Sequence, residues 1–184
     1  YFTSDISEKL IVNSKEIYDG AIPSGNSVSA YNFIRLSRIL SRYDYEEITL
    51  GIIDAFTKNL NRYASGSTML LQTIIFLEGP SYEVIIVGDR HKSNNLIKLI
   101  QKNNNPNKVI IYNNDNKTKL FKFLEYYNSG PNGEPLVYVC QNYSCKLPSD
   151  DINKIKNMLK WLFVIILLNY HIVFMNYKNK FYQI

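Results

Sequence analysis

Glu83-Val84-Ile85-Ile86-Val87-Gly88-Asp89, EVIIVGD at residues 83–89, is where the chain changes period. Before Gly79-Pro80, apolar residues recur at helical spacing. From Glu83 onward they run continuously between turn residues, as in a strand buried on both faces. Two further runs repeat the pattern, at Lys108 to Tyr112 and at Pro135 to Cys140. Helical spacing returns between them at Asn94 to Gln101, through Leu96, Ile97 and Ile100. It returns again at Lys117 to Tyr127, through Leu120, Phe121, Leu124 and Tyr127. Strand, helix, strand, helix, strand with right-handed crossovers predicts a small three-stranded parallel sheet. Residues 103–107 and 128–133 read as exposed loops.

Upstream, residues 1–26 carry no sustained period, with short extended pieces at Leu10-Ile11-Val12 and Ile17-Tyr18. A helix is expected from Asn26 or Ser27, both good N-caps. Val28, Tyr31, Phe33, Leu36, Ile39, Leu40 and Tyr43 form its apolar face, and Asn32, Arg35, Arg38 and Arg42 its wet one. Asp44 followed by Glu47 resembles a capping box that opens a second helix, with Ile48, Ile52, Phe56 and Leu60 on one stripe. The short connection makes the two antiparallel neighbours. A third helix, Ser67 to Leu77, is apolar almost all round and is stopped by Gly79-Pro80.

The 184 residues are 46% hydrophobic and 20% charged, enough for one domain with a core and too apolar for general disorder. The net charge of +5 is scattered through Asn-, Lys-, Ile- and Tyr-rich stretches. No nucleic-acid partner is therefore expected, since basic residues are not gathered into a patch with aromatics. The chain opens Tyr1-Phe2 without an initiator Met or a leader pattern, which reads as a fragment of something longer. A last helix is expected near Asp150-Asp151, running into Trp161 to Met175. Those 15 residues hold no formal charge but fall short of the roughly 18–20 of a membrane span, and Asn169 and His171 interrupt them. A cytoplasmic or organellar soluble protein is expected, with a single C-terminal membrane anchor as the alternative.

Several strings, in order, resemble the thioredoxin-domain family typified by spermatogenesis-associated protein 20. They are Asp19-Gly20-Ala21-Ile22-Pro23-Ser24-Gly25-Asn26-Ser27, Val84 to Asp89, Pro106-Asn107-Lys108-Val109, and Tyr138 to Cys145 with Pro148. The resemblance covers about residues 1–155 and stops before Trp161. Residues 161–184 look as much like translated non-coding sequence as an anchor. The resemblance implies a larger protein in which a thioredoxin-like domain precedes an α/α toroid similar to six-hairpin glycosidases and sugar epimerases. The expected fold class is mixed α and β: a partial toroid of the last helical hairpins at 1–79, a three-stranded parallel α/β appendage at 80–149, and a C-terminal helix with an apolar tail at 150–184. Its partners would be the thioredoxin-like domain, the remaining toroid hairpins and a sugar ligand. Most of the toroid is absent, so this chain is not expected to be active alone.

If the toroid binds a sugar, Asp19 is the catalytic candidate, and Glu16, Gly20, Ser24 and Asn26 are ligand-binding candidates. A carboxylate at a toroid mouth can hold hydroxyls or move protons, and glycines allow close backbone approach. Glycoside hydrolysis needs two carboxylates, and Glu16 is the nearest second one. The competing reading is that Asp19 holds a turn and Asn26 caps a helix. Carbohydrate binding by the fragment and a supporting role toward the redox domain both stay open. Gly88-Asp89 lacks a glycine-rich fingerprint and reads as a strand-to-helix turn capped by Ser93 or Asn94, with no nucleotide expected. Cys140 and Cys145, with four residues between them, do not form a Cys-x-x-Cys pair. Zinc would need two more ligands, and His91 and His171 lie in unrelated segments, so no metal and no cofactor is expected. The pair reads as a buried strand cysteine and a turn cysteine, redox candidates if their Cβ atoms approach.

Overall fold

The computed structural model describes residues 15–114, 121–141 and 144–160. The chain divides into two compact units, Tyr1–Leu77 and Glu78–Ile184. Helix and strand are both present, as the sequence patterns require.

The first unit is helical. Helix α1 (Gly25–Leu40) and helix α2 (Tyr43–Ala55) form a hairpin joined through Ser41, in left-handed conformation at φ 52°. The buried stripe of α1 is Ser27, Ala30, Ile34 and Ser37, not the face of larger side chains expected from hydrophobicity. Leu36 and Tyr43 are exposed. Small hydroxyl residues can line this seam because their polar atoms are satisfied locally: Ser37 Oγ donates to the Ile34 carbonyl at 2.8 Å. Thr49, buried on α2, donates to the Tyr45 carbonyl at 3.0 Å and lies 3.3 Å from the Ala30 carbonyl of the facing helix. Arg38 reaches from the supposedly wet side to Glu46 at 2.7 Å in a largely buried ion pair.

Asp44 does not cap α2. The cap position is Arg42, whose side chain makes no capping bond, and Asp44 sits in the first turn paired with that arginine. The Arg42 guanidinium holds the Asp44 carboxyl below its usual range. The second helix also breaks at Phe56, giving α3 (Thr57–Tyr63), with Phe56 and Leu60 buried and Ile48 exposed. A 3-10 turn at Ala64–Gly66 leads into α4 (Thr68–Glu78), which buries Leu70, Thr73 and Phe76. Tyr31 packs edge-on against Phe76, with ring centroids 6.5 Å apart, and the Arg35 guanidinium lies 5.5 Å from the Phe76 centroid.

The second unit is built on β1 (Tyr82–Val87), α5 (Arg90–Lys102) and β2 (Lys108–Asn113), with β2 parallel to β1. Then come β3 (Leu136–Gln141), β4 (Ser144–Cys145) and α6 (Ile152–Met158). The sheet order is β2-β1-β3-β4, and β3 runs antiparallel to β1. The expected three-stranded parallel sheet is therefore a four-stranded mixed one. The reason lies in where the chain re-enters: Asn113, the end of β2, and Leu136, the start of β3, both pair with Val87. A strand starting at the end where its predecessor finished runs back without a crossover. The helix expected at Lys117 to Tyr127 is absent from its described part, where Lys122–Tyr126 is a 3-10 turn; residues 117–120 lie outside the described residues.

One sheet face carries Tyr82, Val84, Ile86, Val137 and Val139 and is covered by Leu96 and Ile100 of α5 and by Ile155 and Leu159 at α6. Full burial of each such side chain contributes about 1.5–3 kcal/mol. The opposite face carries Glu83, Ile85, Tyr138 and Cys140, and Asn113 Nδ2 donates there to the Leu124 carbonyl at 3.4 Å. The cap of α5 is Asp89, accepting from the His91 and Lys92 amides, and the helix starts at Arg90 rather than near Asn94. Ser93, instead of capping, is fully buried and its hydroxyl has no partner among the described residues. Gly88 is required at its position, where φ is +151° and a Cβ would lie 2.7 Å from Pro135 Cα. The tail expected to extend the last helix, residues 161–184, lies outside the described residues.

Candidate functional site

The loop before α1 is tied to a segment about 50 residues away. Asp19 N donates to the Gly66 carbonyl at 2.7 Å, and Ser67 Oγ donates to the Ile17 carbonyl at 3.3 Å. Asp19 Oδ1 accepts from Ser24 N at 2.8 Å. Its Oδ2 accepts from Met69 N at 2.8 Å and Leu70 N at 3.4 Å. These last two are free amides of the first turn of α4, so Asp19 performs from a distance the work of an N-cap. Ser67, just before α4, has turned its hydroxyl toward Ile17 instead. Negative charge at that helix start is favoured by the helix dipole.

The other candidates fall around the same node. Ser24 is the buried N-cap of α1, its Oγ accepting from Ser27 N at 3.1 Å and donating to Ser27 Oγ at 2.9 Å. Asn26 Nδ2 donates to the Glu16 carbonyl at 2.7 Å, so Glu16 enters through its backbone and leaves its carboxylate on an exposed residue. A Cβ on Gly20 would lie 3.0 Å from the Tyr18 ring. Sequence reading missed Tyr18, Tyr63 and Gly66. The two tyrosines are 57% and 60% exposed, and a Cβ on Gly66 would lie 2.5 Å from the Tyr63 ring and 3.2 Å from that of Tyr18. The small-residue run Ala64-Ser65-Gly66-Ser67 signals a turn, but nothing local joins it to Asp19.

In the second unit, Cys140 of β3 and Cys145 of β4 stand opposite each other and are joined as a disulfide, with Cα atoms 3.9 Å apart. Cys140 is buried and Cys145 exposed. The Tyr127 hydroxyl lies 3.4 Å from Cys145 Sγ and 3.9 Å from Cys140 Sγ. Disulfide sulfurs carry no hydrogen, so the phenol is the donor. Burial, aided by the nearby Glu83 and Tyr138, pushes the Tyr127 hydroxyl above its ordinary value, so it keeps its proton. Among the described residues, no group of three or more His, Cys, Asp or Glu is placed to hold a metal ion, and no helix is long and apolar enough to cross a membrane.

The chain is 26% identical over 166 residues to the human and the mouse protein called spermatogenesis-associated protein 20, and 25% identical to that of the rat. Each match covers 86% of this chain and 21% of the relative, so the chain spans about a fifth of the length of the curated relatives it matches. The relationship is a distant one. No family model and no solved structure matches the chain.

Proposed function

We propose, from the distant relationship to spermatogenesis-associated protein 20 and the geometry around Asp19, that this chain is a non-catalytic part of a larger thioredoxin-domain and α/α-toroid protein. In this reading the helical unit closes the toroid, and residues 18–24 lie on the rim of a carbohydrate-type pocket. The main support is Asp19: both of its oxygens accept from backbone amides at the starts of two helices. Its carboxylate thereby positions the rim. Contact with the apolar face of a sugar ring falls to the exposed tyrosine rings beside Gly66, which offer rigid apolar area with a polar tip.

A second reading, a structural or interaction module supporting the thioredoxin-like domain, is favoured by α4, whose Met69, Leu71, Ile74, Ile75 and Leu77 are only half-buried. A thermal-shift screen of mono- and oligosaccharides separates the two, run on this chain and on the longer polypeptide that the resemblance implies. The pocket reading expects a saturable sugar-dependent rise in Tm that is lost in Tyr63→Ala and kept in Glu16→Gln. No shift with any sugar in either protein refutes it and leaves the module.

A further inference from the structure

We propose that the Cys140–Cys145 pair is a thiol–disulfide exchange site at the sheet edge, with Cys145 as the sulfur attacked, Cys140 as the resolving cysteine and Tyr127 as the donor to the departing sulfur. The site lies in the second unit and is independent of the carbohydrate reading. Its first support is asymmetry. The two cysteines are paired across neighbouring strands, yet Cys140 is only 1% exposed while Cys145 lies exposed on the two-residue edge strand. An incoming sulfur has one target.

The second support is that the hairpin does not depend on the bond. Lys146 N donates to the Val139 carbonyl at 3.1 Å, and Val137 and Ser149 exchange both backbone bonds at 2.9 and 3.0 Å. These hold the returning strand in register on the side of the sulfurs away from the turn, and Gln141 pairs with Ser144 on the other. The cysteines are only 5 positions apart, so the bond restricts the unfolded chain little compared with a long-range staple. Opening it leaves two thiols facing each other, ready to close again.

The third support is Tyr127, within reach of both sulfurs. Its ring packs edge-on against Tyr138, with centroids 4.9 Å apart. The Tyr138 hydroxyl in turn accepts from Asn128 N and donates to the Asn128 carbonyl. The phenol is thus held from the neighbouring residue and keeps its proton for hydrogen bonding. Glu83 stands directly opposite Cys140 on β1, so a charge developing on Cys140 needs that donor.

The reaction consumes a dithiol reductant. One of its thiolates attacks Cys145 Sγ and the Cys140–Cys145 bond breaks. The electron pair leaves on Cys140 as a thiolate, which accepts the hydrogen bond of Tyr127 and is protonated from solvent. The second thiolate of the reductant then attacks its own sulfur in the mixed disulfide and expels Cys145. Two electrons and two protons have passed to the protein, and the reductant has become a disulfide. The reverse sequence oxidises the pair.

The test uses the whole chain. It is titrated with dithiothreitol under native conditions, with free thiols alkylated and weighed while circular dichroism follows the fold. Complete reduction without change in the spectrum is expected; reduction only at denaturant concentrations that unfold the chain overturns the proposal. Limiting iodoacetamide added to the reduced wild-type chain, followed by peptide mapping of the irreversible thioether, identifies the reacting cysteine. The first adduct is expected at Cys145, about tenfold faster than at Cys140, because access governs these rates. Equal rates at the two positions overturn the assignment, and this measurement needs no variant to fold. Tyr127→Phe keeps the ring contact and is expected to slow reduction by dithiothreitol several-fold with an unchanged spectrum. An unchanged rate removes Tyr127 from the site.

Discussion

Replacing Asp19 by Ala should destabilise the helical unit by about 3 kcal/mol, because one substitution strips acceptors from the starts of two helices. Ser24 N and Met69 N each lose a bond of 2.8 Å, and Leu70 N loses a longer one at 3.4 Å. Hydrogen bonds to a charged group contribute about 1.5–3 kcal/mol each, but Asp19 is half-exposed and water replaces part of what is lost. Loss of an N-cap alone costs about 1 kcal/mol, and the unfavourable change at the dipole of α4 adds about 0.5 kcal/mol. Counting one bond at Ser24 at the low end of its range, one cap at α4 and the dipole change gives the stated total. Asp19→Asn keeps one acceptor oxygen and should lose about 1 kcal/mol. Urea unfolding followed by circular dichroism measures the change, and amide hydrogen exchange locates it, with protection falling at Ser24, Met69 and Leu70 first. Glu16→Gln, at an exposed carboxylate, serves as the control and should stay within about 0.5 kcal/mol of the parent. An Asp19→Ala chain as stable as that control, with Met69 exchange unchanged, would refute the capping role.

Three further expectations concern the second unit. Gly88→Ala combines a left-handed φ with a Cβ 2.7 Å from Pro135 Cα, and should cost about 1–3 kcal/mol in a denaturant titration; a neutral result would mean the β1–α5 turn can relax. The Lys92 and His91 amides hold the Asp89 carboxyl below its ordinary value. Its stabilising contribution is therefore full above about pH 4 and disappears as the pH falls through the lowered folded-state value. Asp89→Asn should flatten that acid limb in a pH series of thermal melts, and identical acid limbs would contradict the cap. Ser93→Ala removes a buried hydroxyl that has no partner among the described residues and should be neutral or stabilising by up to about 1 kcal/mol, whereas a clear loss of stability would reveal a hydrogen bond made by that oxygen.

The candidate residues of the 16–27 stretch were legible as a group because Asp, Ser, Asn and Gly ahead of a helical pattern are local signals, and the structure gathers them around one node. Their tasks were less legible. A capping box could be read at Asp44 and Glu47, yet Asp44 is occupied by Arg42, while the helix start at Thr68 takes its cap from Asp19. The same limit applies to α1, where a hydrophobicity pattern selects large side chains. The buried stripe uses Ser27, Ala30 and Ser37 beside Ile34, and at Ala30 the hydroxyl of Thr49 on the facing helix reaches the backbone carbonyl.

By itself the sequence determined the period: helices before Gly79-Pro80, buried strands at Tyr82–Val87, Lys108–Asn113 and Leu136–Gln141, and a helix between the first two. Backbone preference and the alternation of burial act between neighbours a few residues apart, so one chain suffices to read them. Tertiary structure alone decided the direction of β3, the cap that Asp19 supplies and the pairing of Cys140 with Cys145. Each depends on which distant groups meet in space. β3 turns back because the chain re-enters beside Val87. Asp19 is bound because two helix starts present free amides to one carboxylate. The cysteines join because that reversed strand and its edge neighbour bring them opposite each other.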